Sequence, residues 1–234
     1  MNSRRAKSLV AIASVAILIA GCDSLPGRPT QADLPLRPTD ITDFATLYGE
    51  NCAGCHGADG KFGAAIGMNN PIYLAIADDA SMHRVIANGS PGTAMPPFAQ
   101  TAGGSLTDRQ IDLLIAGIRK SWVGAPDEAA GAPPYSATIG GDSNRGAQVY
   151  ASNCQSCHGP DGKGGRAGSI VDASYLSLVS DQYLRTIMIA GRPELGHPDW
   201  KQDVAGQPLT PAQVSDVIAW LSSKRPASPL AQSN

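Results

Sequence analysis

Several things are scarce in this 234-residue chain, and each shortage excludes something. Basic residues are outnumbered by acidic ones, 18 against 20, so the strongly basic footprint of a nucleic-acid binder is missing. Strand-like alternation of apolar and polar residues is missing too, which leaves helices as the regular structure and all-α as the expected fold class. Aromatic residues make up only 5% of the chain, little bulky apolar material for a core. No apolar run is long enough to cross a bilayer comfortably. The longest, Leu9 to Ala20, follows Arg4, Arg5 and Lys7 and reads as a cleavable export signal over residues 1–21. Its removal leaves 15 basic against 20 acidic groups, a net charge of −5 with His neutral.

Cysteine is also sparse. An odd count in an exported protein implies a free thiol or an intermolecular bridge, and there are five: Cys22, Cys52, Cys55, Cys154 and Cys157. Four of them fall into two Cys-x-x-Cys pairs, so only Cys22 is left over. The stretch "LIAGC" (18–22) resembles the lipobox of bacterial lipoproteins, in which the cysteine is lipidated and becomes the first mature residue. That resemblance implies a lipid on Cys22 and a stable membrane anchor. Asp23 after it resembles a signal that retains lipoproteins at the inner membrane.

The chain repeats itself. "YGENCAGCHGADGKFG" (48–63) and "YASNCQSCHGPDGKGG" (150–165) share ten residues at a constant offset of 102. Tyr73 and Leu74 then meet Tyr175 and Leu176, and Gly89 and Pro91 meet Gly191 and Pro193. After one inserted residue, "LTDRQIDLLIAGI" (106–118) meets "LTPAQVSDVIAWL" (209–221). Such a tandem duplication predicts two domains of similar fold. In each copy a helix leads into the cysteine motif, starting near Asp40 or Ser143. A second helix spans 79–88 or 181–190 and stops at Gly89 or Gly191. The last opens on a capping box, Thr107 with Gln110 or Thr210 with Gln213. The expected divisions are a tether at 22–39, domains at 40–123 and 142–226, a Gly/Ala/Pro-rich linker at 124–141, and a tail at 227–234.

Cys-x-x-Cys-His is the attachment signature of c-type haem: two thiols form thioethers with the porphyrin vinyl groups, and the adjacent imidazole reaches the iron. A thioredoxin-like redox pair would want a βαβ pattern, which is absent. A zinc site would have to join ligands from separate copies. With these residues in hand, the chain resembles a dihaem cytochrome c built from two class I-type cytochrome c domains, over about residues 40 to 226. The resemblance implies two covalent haem c groups. Cys52 and Cys55 would hold one, with His56 as its proximal ligand; Cys154 and Cys157 would hold the other, with His158. It also implies a distal methionine from a loop before the last helix, which "GTAMPPF" (92–98) supplies as Met95. With so few aromatics, the haems would form much of each core, and the apo-chain is expected not to hold its fold.

The second copy departs from that pattern. The position 102 residues after Met95 is His197, in "AGRPELGHPDW" (190–200), with Pro198 and Trp200 matching Pro96 and Phe98. His197 is therefore the expected distal ligand of the second haem. The competing donor is Met188, whose helical spacing suits core packing. His83, matching Arg185, reads as a surface side chain, and Trp122, Trp200 and Trp220 as packing residues.

His/Met and His/His irons would both be six-coordinate, with no vacant position for a substrate. The expected function is electron transfer between extracytoplasmic redox partners, not enzymatic catalysis. The Met95 site would have the higher potential and the His197 site the lower. Candidate partners are a quinol-oxidising complex, a terminal oxidase, a dehydrogenase or a photosynthetic reaction centre, with no nucleic acid. The expected location is the periplasmic side, anchored through Cys22 to the inner membrane. Two alternatives stay open: a dihaem oxidoreductase with a labile distal ligand, of peroxidase or sulfur-compound-oxidising type, and a fixed cytochrome subunit of a respiratory or photosynthetic membrane complex.

Overall fold

The computed structural model describes residue 27 and residues 33–201 and 206–226. The expected signal, Cys22, part of the tether and the tail at 227–234 lie outside the described residues. The chain divides into two compact units, residues 1–40 and 41–234. In the first, a 3-10 turn spans Pro38–Asp40, with the Arg37 guanidinium bidentate on Asp40 at 2.7 and 3.0 Å.

The second unit contains both sequence copies, each with five α-helices among the described residues. The first copy forms α1 (Phe44–Asn51), α2 (Ala53–His56), α3 (Pro71–Ile76), α4 (Asp79–Asn88) and α5 (Asp108–Ser121). The second forms α6 (Ser143–Asn153), α7 (Gln155–His158), α8 (Ala173–Leu178), α9 (Asp181–Ala190) and α10 (Pro211–Ser222). Among the described residues there is no β-strand, only the isolated bridges Ala99 to Leu106 and Arg192 to His197. The described fold is all-α.

Local chemistry sets the helix starts. Side chains of Asp43, Asn70 and Asp78 accept from the third backbone N–H beyond them and cap α1, α3 and α4. Asp172 and Ser180 do the same for α8 and α9. Both expected capping boxes are formed, at α5 and α10. α4 and α9 end at Gly89 (φ 66°) and Gly191 (φ 68°), where a left-handed residue closes a helix cheaply. One start differs from expectation. α1 begins at Phe44 rather than near Asp40, because Arg37 occupies the Asp40 carboxylate and Asp43 supplies the cap.

Each copy crosses its first helix over its last. Ile111, Leu114, Ile115 and Ile118 of α5 are buried, as are Val214, Val217, Ile218 and Leu221 of α10. The two crossings solve one packing problem in opposite ways. In the first copy Phe44 lies over Gly117, where an added Cβ would come within 2.1 Å of the ring. In the second copy the matching positions are exchanged in size: an added Cβ at Gly146 would lie 2.0 Å from Asp216 O and 2.8 Å from the Trp220 Cβ. Trp122 packs edge-on to Tyr48 at 5.3 Å, and Trp220 stacks on Tyr150 at 4.3 Å.

The segment between the copies packs on both. Ala125 N–H donates to Pro71 O at 3.0 Å, Pro133 is fully buried, and Tyr135 meets Tyr73 edge-on at 6.4 Å. Arg185 donates to Pro134 O at 2.8 and 3.0 Å and to Tyr135 O at 3.1 Å. The sequence register makes Arg185 equivalent to His83, yet it is only 3% exposed because this segment covers it. Truncation by Arg185→Ala leaves those carbonyls without donors over a cavity, so it should destabilise the protein by about 2–4 kcal/mol, measurable by denaturant unfolding.

Candidate haem sites

Both cysteine motifs are built the same way. Cys52 ends α1 and opens the single turn of α2, with His56 N–H donating to Cys52 O at 2.9 Å. In the second copy His158 N–H donates to Cys154 O at 2.9 Å. One turn of helix thus gathers two thiols and an imidazole in a few residues. The glycine after each histidine is required. Gly57 has φ 85°, and a Cβ there would lie 1.8 Å from Lys61 O; Gly159 has φ 74°, with Gly164 O at 1.7 Å. Tyr48 and Tyr150, from the preceding helix of each copy, donate their hydroxyls to Gly57 O and Gly159 O at 2.9 and 2.6 Å.

Cys52, Cys55, Cys154 and Cys157 are not joined in disulfides. Burial pushes the Cys52 thiol up to about 11. Hydrogen bonding from Arg166, at 3.0 Å, draws the Cys157 thiol below its ordinary value.

The histidines share a geometry. Nδ1 of His56 lies 2.7 Å from Ile66 O, and Nδ1 of His158 lies 3.1 Å from Gly168 O, its counterpart 102 residues on. His197 makes the same kind of contact with Pro198 O at 2.8 Å. A carbonyl oxygen only accepts, so each Nδ1 carries the proton and each Nε2 presents a lone pair. Burial, above all, pushes the pKa of His56 and of His197 below the ordinary histidine value, favouring the neutral ligand form.

His158 and His197 face each other, with ring centroids 6.2 Å apart and planes tilted by 47°. Two imidazoles on opposite sides of one metal, each bonded at about 2 Å, have centroids about 6 Å apart. The spacing and the free Nε2 atoms fit a haem iron held between them. Among the described residues no group of three or more His, Cys, Asp or Glu side chains could hold a metal ion. A haem asks less of the protein, because its porphyrin supplies four ligands.

Met95 lies half-buried in the loop between α4 and α5. That loop is closed by Ser90 N–H to Met95 O at 3.0 Å and Phe98 N–H to Ile86 O at 3.0 Å. Gly89 backs onto Pro96 and Pro97 as Gly191 backs onto Pro198, so both loops fold back at the same place. Met188 packs against the apolar core, and Met68 and Met82 are buried within it. His83 is partly exposed, 3.7 Å from the Asp112 carboxylate.

The structure adds residues that the sequence did not single out. Arg192, five residues before His197, exchanges both backbone hydrogen bonds with it at 3.0 Å. Its side chain pairs with Glu194 at 2.8 Å and donates to Gly63 O, in the first copy's motif loop, at 2.9 Å. Asn70 donates to Ala190 O at 3.0 Å, and Ala94 N–H to Leu178 O at 3.1 Å, so each distal loop or its base touches the other copy. Contacts between residues so far apart in the chain leave no periodic trace in sequence.

Comparisons with known proteins agree with this architecture. Residues 39–116 match the family model described as cytochrome C oxidase, cbb3-type, subunit III, and residues 143–224 match that of cytochrome c. Among relatives, the cbb3-type cytochrome c oxidase subunit FixP of Sinorhizobium medicae (strain WSM419) is 30% identical over 191 residues, 73% of this chain and 61% of that protein. The cytochrome bc1 complex cytochrome c subunit of Mycobacterium leprae (strain TN) is 29% identical over 150 residues, 62% of this chain and 50% of that one. The chain therefore spans about half to three-fifths of the length of these relatives. With both motifs, the duplicated helix order and a cytochrome model on each half, the chain is an all-α tandem of two cytochrome-c-type domains.

Proposed function

We propose that the chain is a fixed electron-transfer subunit of a respiratory membrane complex, carrying two covalent haem c groups. Cys52, Cys55, His56 and Met95 hold the first; Cys154, Cys157, His158 and His197 hold the second. The observation that carries the ligand assignment is the 6.2 Å spacing of His158 and His197, with each Nδ1 proton committed to a carbonyl. The fixed-subunit reading draws its support from relatives named as subunits of a cbb3-type oxidase and of a bc1 complex, which favour it over a freely shuttling carrier. A lipid on Cys22 would hold the protein to the periplasmic face of the inner membrane.

When bound, haem supplies one-electron chemistry at its iron. The protein's own part is to hold that chemistry still. Carbonyls of Ile66, Gly168 and Pro198 keep three imidazoles in the Nδ1–H tautomer, so no proton competes at Nε2. With His56 and Met95 holding one iron, and His158 and His197 the other, no position would be left for a substrate. As a ligand Met95 would give the first domain the higher potential, and electrons would then pass downhill from the second domain to the first.

The test has two parts. Low-temperature EPR or near-infrared MCD of the oxidised protein should show one His/Met and one His/His signal; two His/Met signals would overturn the assignment of His197. In detergent-solubilised membranes the haem-stained band should travel with a large respiratory complex. A band migrating alone would return the protein to the class of independent carriers.

A further inference from the structure

The duplication is broken at a second place besides Met95 and His197. Arg192 and Glu194 correspond to Ser90 and Gly92, so the first copy has no ion pair at this point. The one pair present serves both halves. Its guanidinium rests on Gly63 O in the first domain, and Gly63 packs directly on the Cys55–His56 backbone, an added Cβ lying 2.1 Å from Cys55 O. The backbone of the same arginine is bridged to His197 in the second domain. Both side chains of the pair are 8% exposed, so water screens them little.

We propose that the Arg192–Glu194 pair is a shared electrostatic control on both haem sites, setting their two potentials together. The proposal rests on the haem ligation given above. A buried cation favours the reduced iron, which carries one positive charge fewer, and a buried carboxylate favours the oxidised one. Held at 2.8 Å the two nearly cancel. Removing either leaves one uncompensated charge beside the first domain's motif loop and the second domain's distal loop at once. A unit charge about 10 Å from a redox centre, at an effective dielectric of about 20, changes its reduced-to-oxidised ratio on the order of tenfold.

The experiment is a potentiometric titration of the full holoprotein, resolving both haems, for the wild type, Glu194→Gln, Arg192→Gln and Arg192→Lys. Glu194→Gln should raise both potentials and Arg192→Gln should lower both, each by a several-fold to tenfold change in reduced fraction at fixed ambient potential. Arg192→Lys keeps the charge and should leave both near the wild-type values. A purely structural role predicts no such opposition of sign and no rescue by lysine. EPR of each variant monitors ligation separately. If Arg192→Gln unseats His197, Glu194→Gln still decides the matter. With both ligand signatures intact in Glu194→Gln, a shift confined to the second haem, or none, overturns the proposal. A wild-type protein without those signatures means instead that the ligation reading has failed.

Discussion

Exchanging the two distal residues should invert the order of the two haem potentials. Thioether sulfur is a soft donor that favours ferrous iron, whereas imidazole gives it no comparable advantage. Met95→His should therefore lower the first potential by on the order of 0.1 V, and His197→Met should raise the second by a similar amount. The double variant should move electrons toward the second domain instead of the first. Optical potentiometry measures the order directly, and EPR reports whether each exchange delivered the intended ligand. The loops suit the exchange, because Gly89 and Gly191 fold each of them back on the same proline position. If the double variant kept the native order, the distal residues would not be what distinguishes the sites.

Blocking attachment in the second copy should have the larger structural effect. Cys154→Ser together with Cys157→Ser should halve the covalent haem content and cost the second domain on the order of 5 kcal/mol, the whole stability of a small domain. Without a haem between them, His158 and His197 would leave two imidazoles and their surroundings to close on a void. Haem staining with limited proteolysis checks both halves of the expectation. Cleavage should concentrate between α7 and α10, and the first domain should keep its own haem. Equal protease resistance in variant and wild type would show that the polypeptide alone carries the core.

Much of this architecture was legible beforehand because its signals are local. α4 and α9 span 79–88 and 181–190 as expected, since a capping residue and a glycine mark their ends within ten residues. The repeat alone puts His197 at the position of Met95, and its ring centroid lies 6.2 Å from that of His158. The short helices α3 and α8 leave no readable signal, because six residues offer too little periodicity. α1 starts later than its counterpart because an arginine outside the repeat takes the expected cap. Arg185 shows the limit of reading one copy from the other: equivalent positions in a duplication acquire different neighbours once a connecting segment lies over one of them. Arg192 and Glu194 carry the same lesson, since their partner Gly63 is 129 residues away from the arginine.

A chain that contains two versions of one fold risks assembling itself from the wrong halves. The exchanged sizes at the two helix crossings answer that risk. If α1 docked on α10, the Phe44 ring would meet the Trp220 Cβ at the place where α5 offers only Gly117. If α6 docked on α5, Gly146 would face Gly117 and leave a hole. Each first helix thus carries a steric password that only its own last helix completes, and the two copies can fold side by side without trading parts.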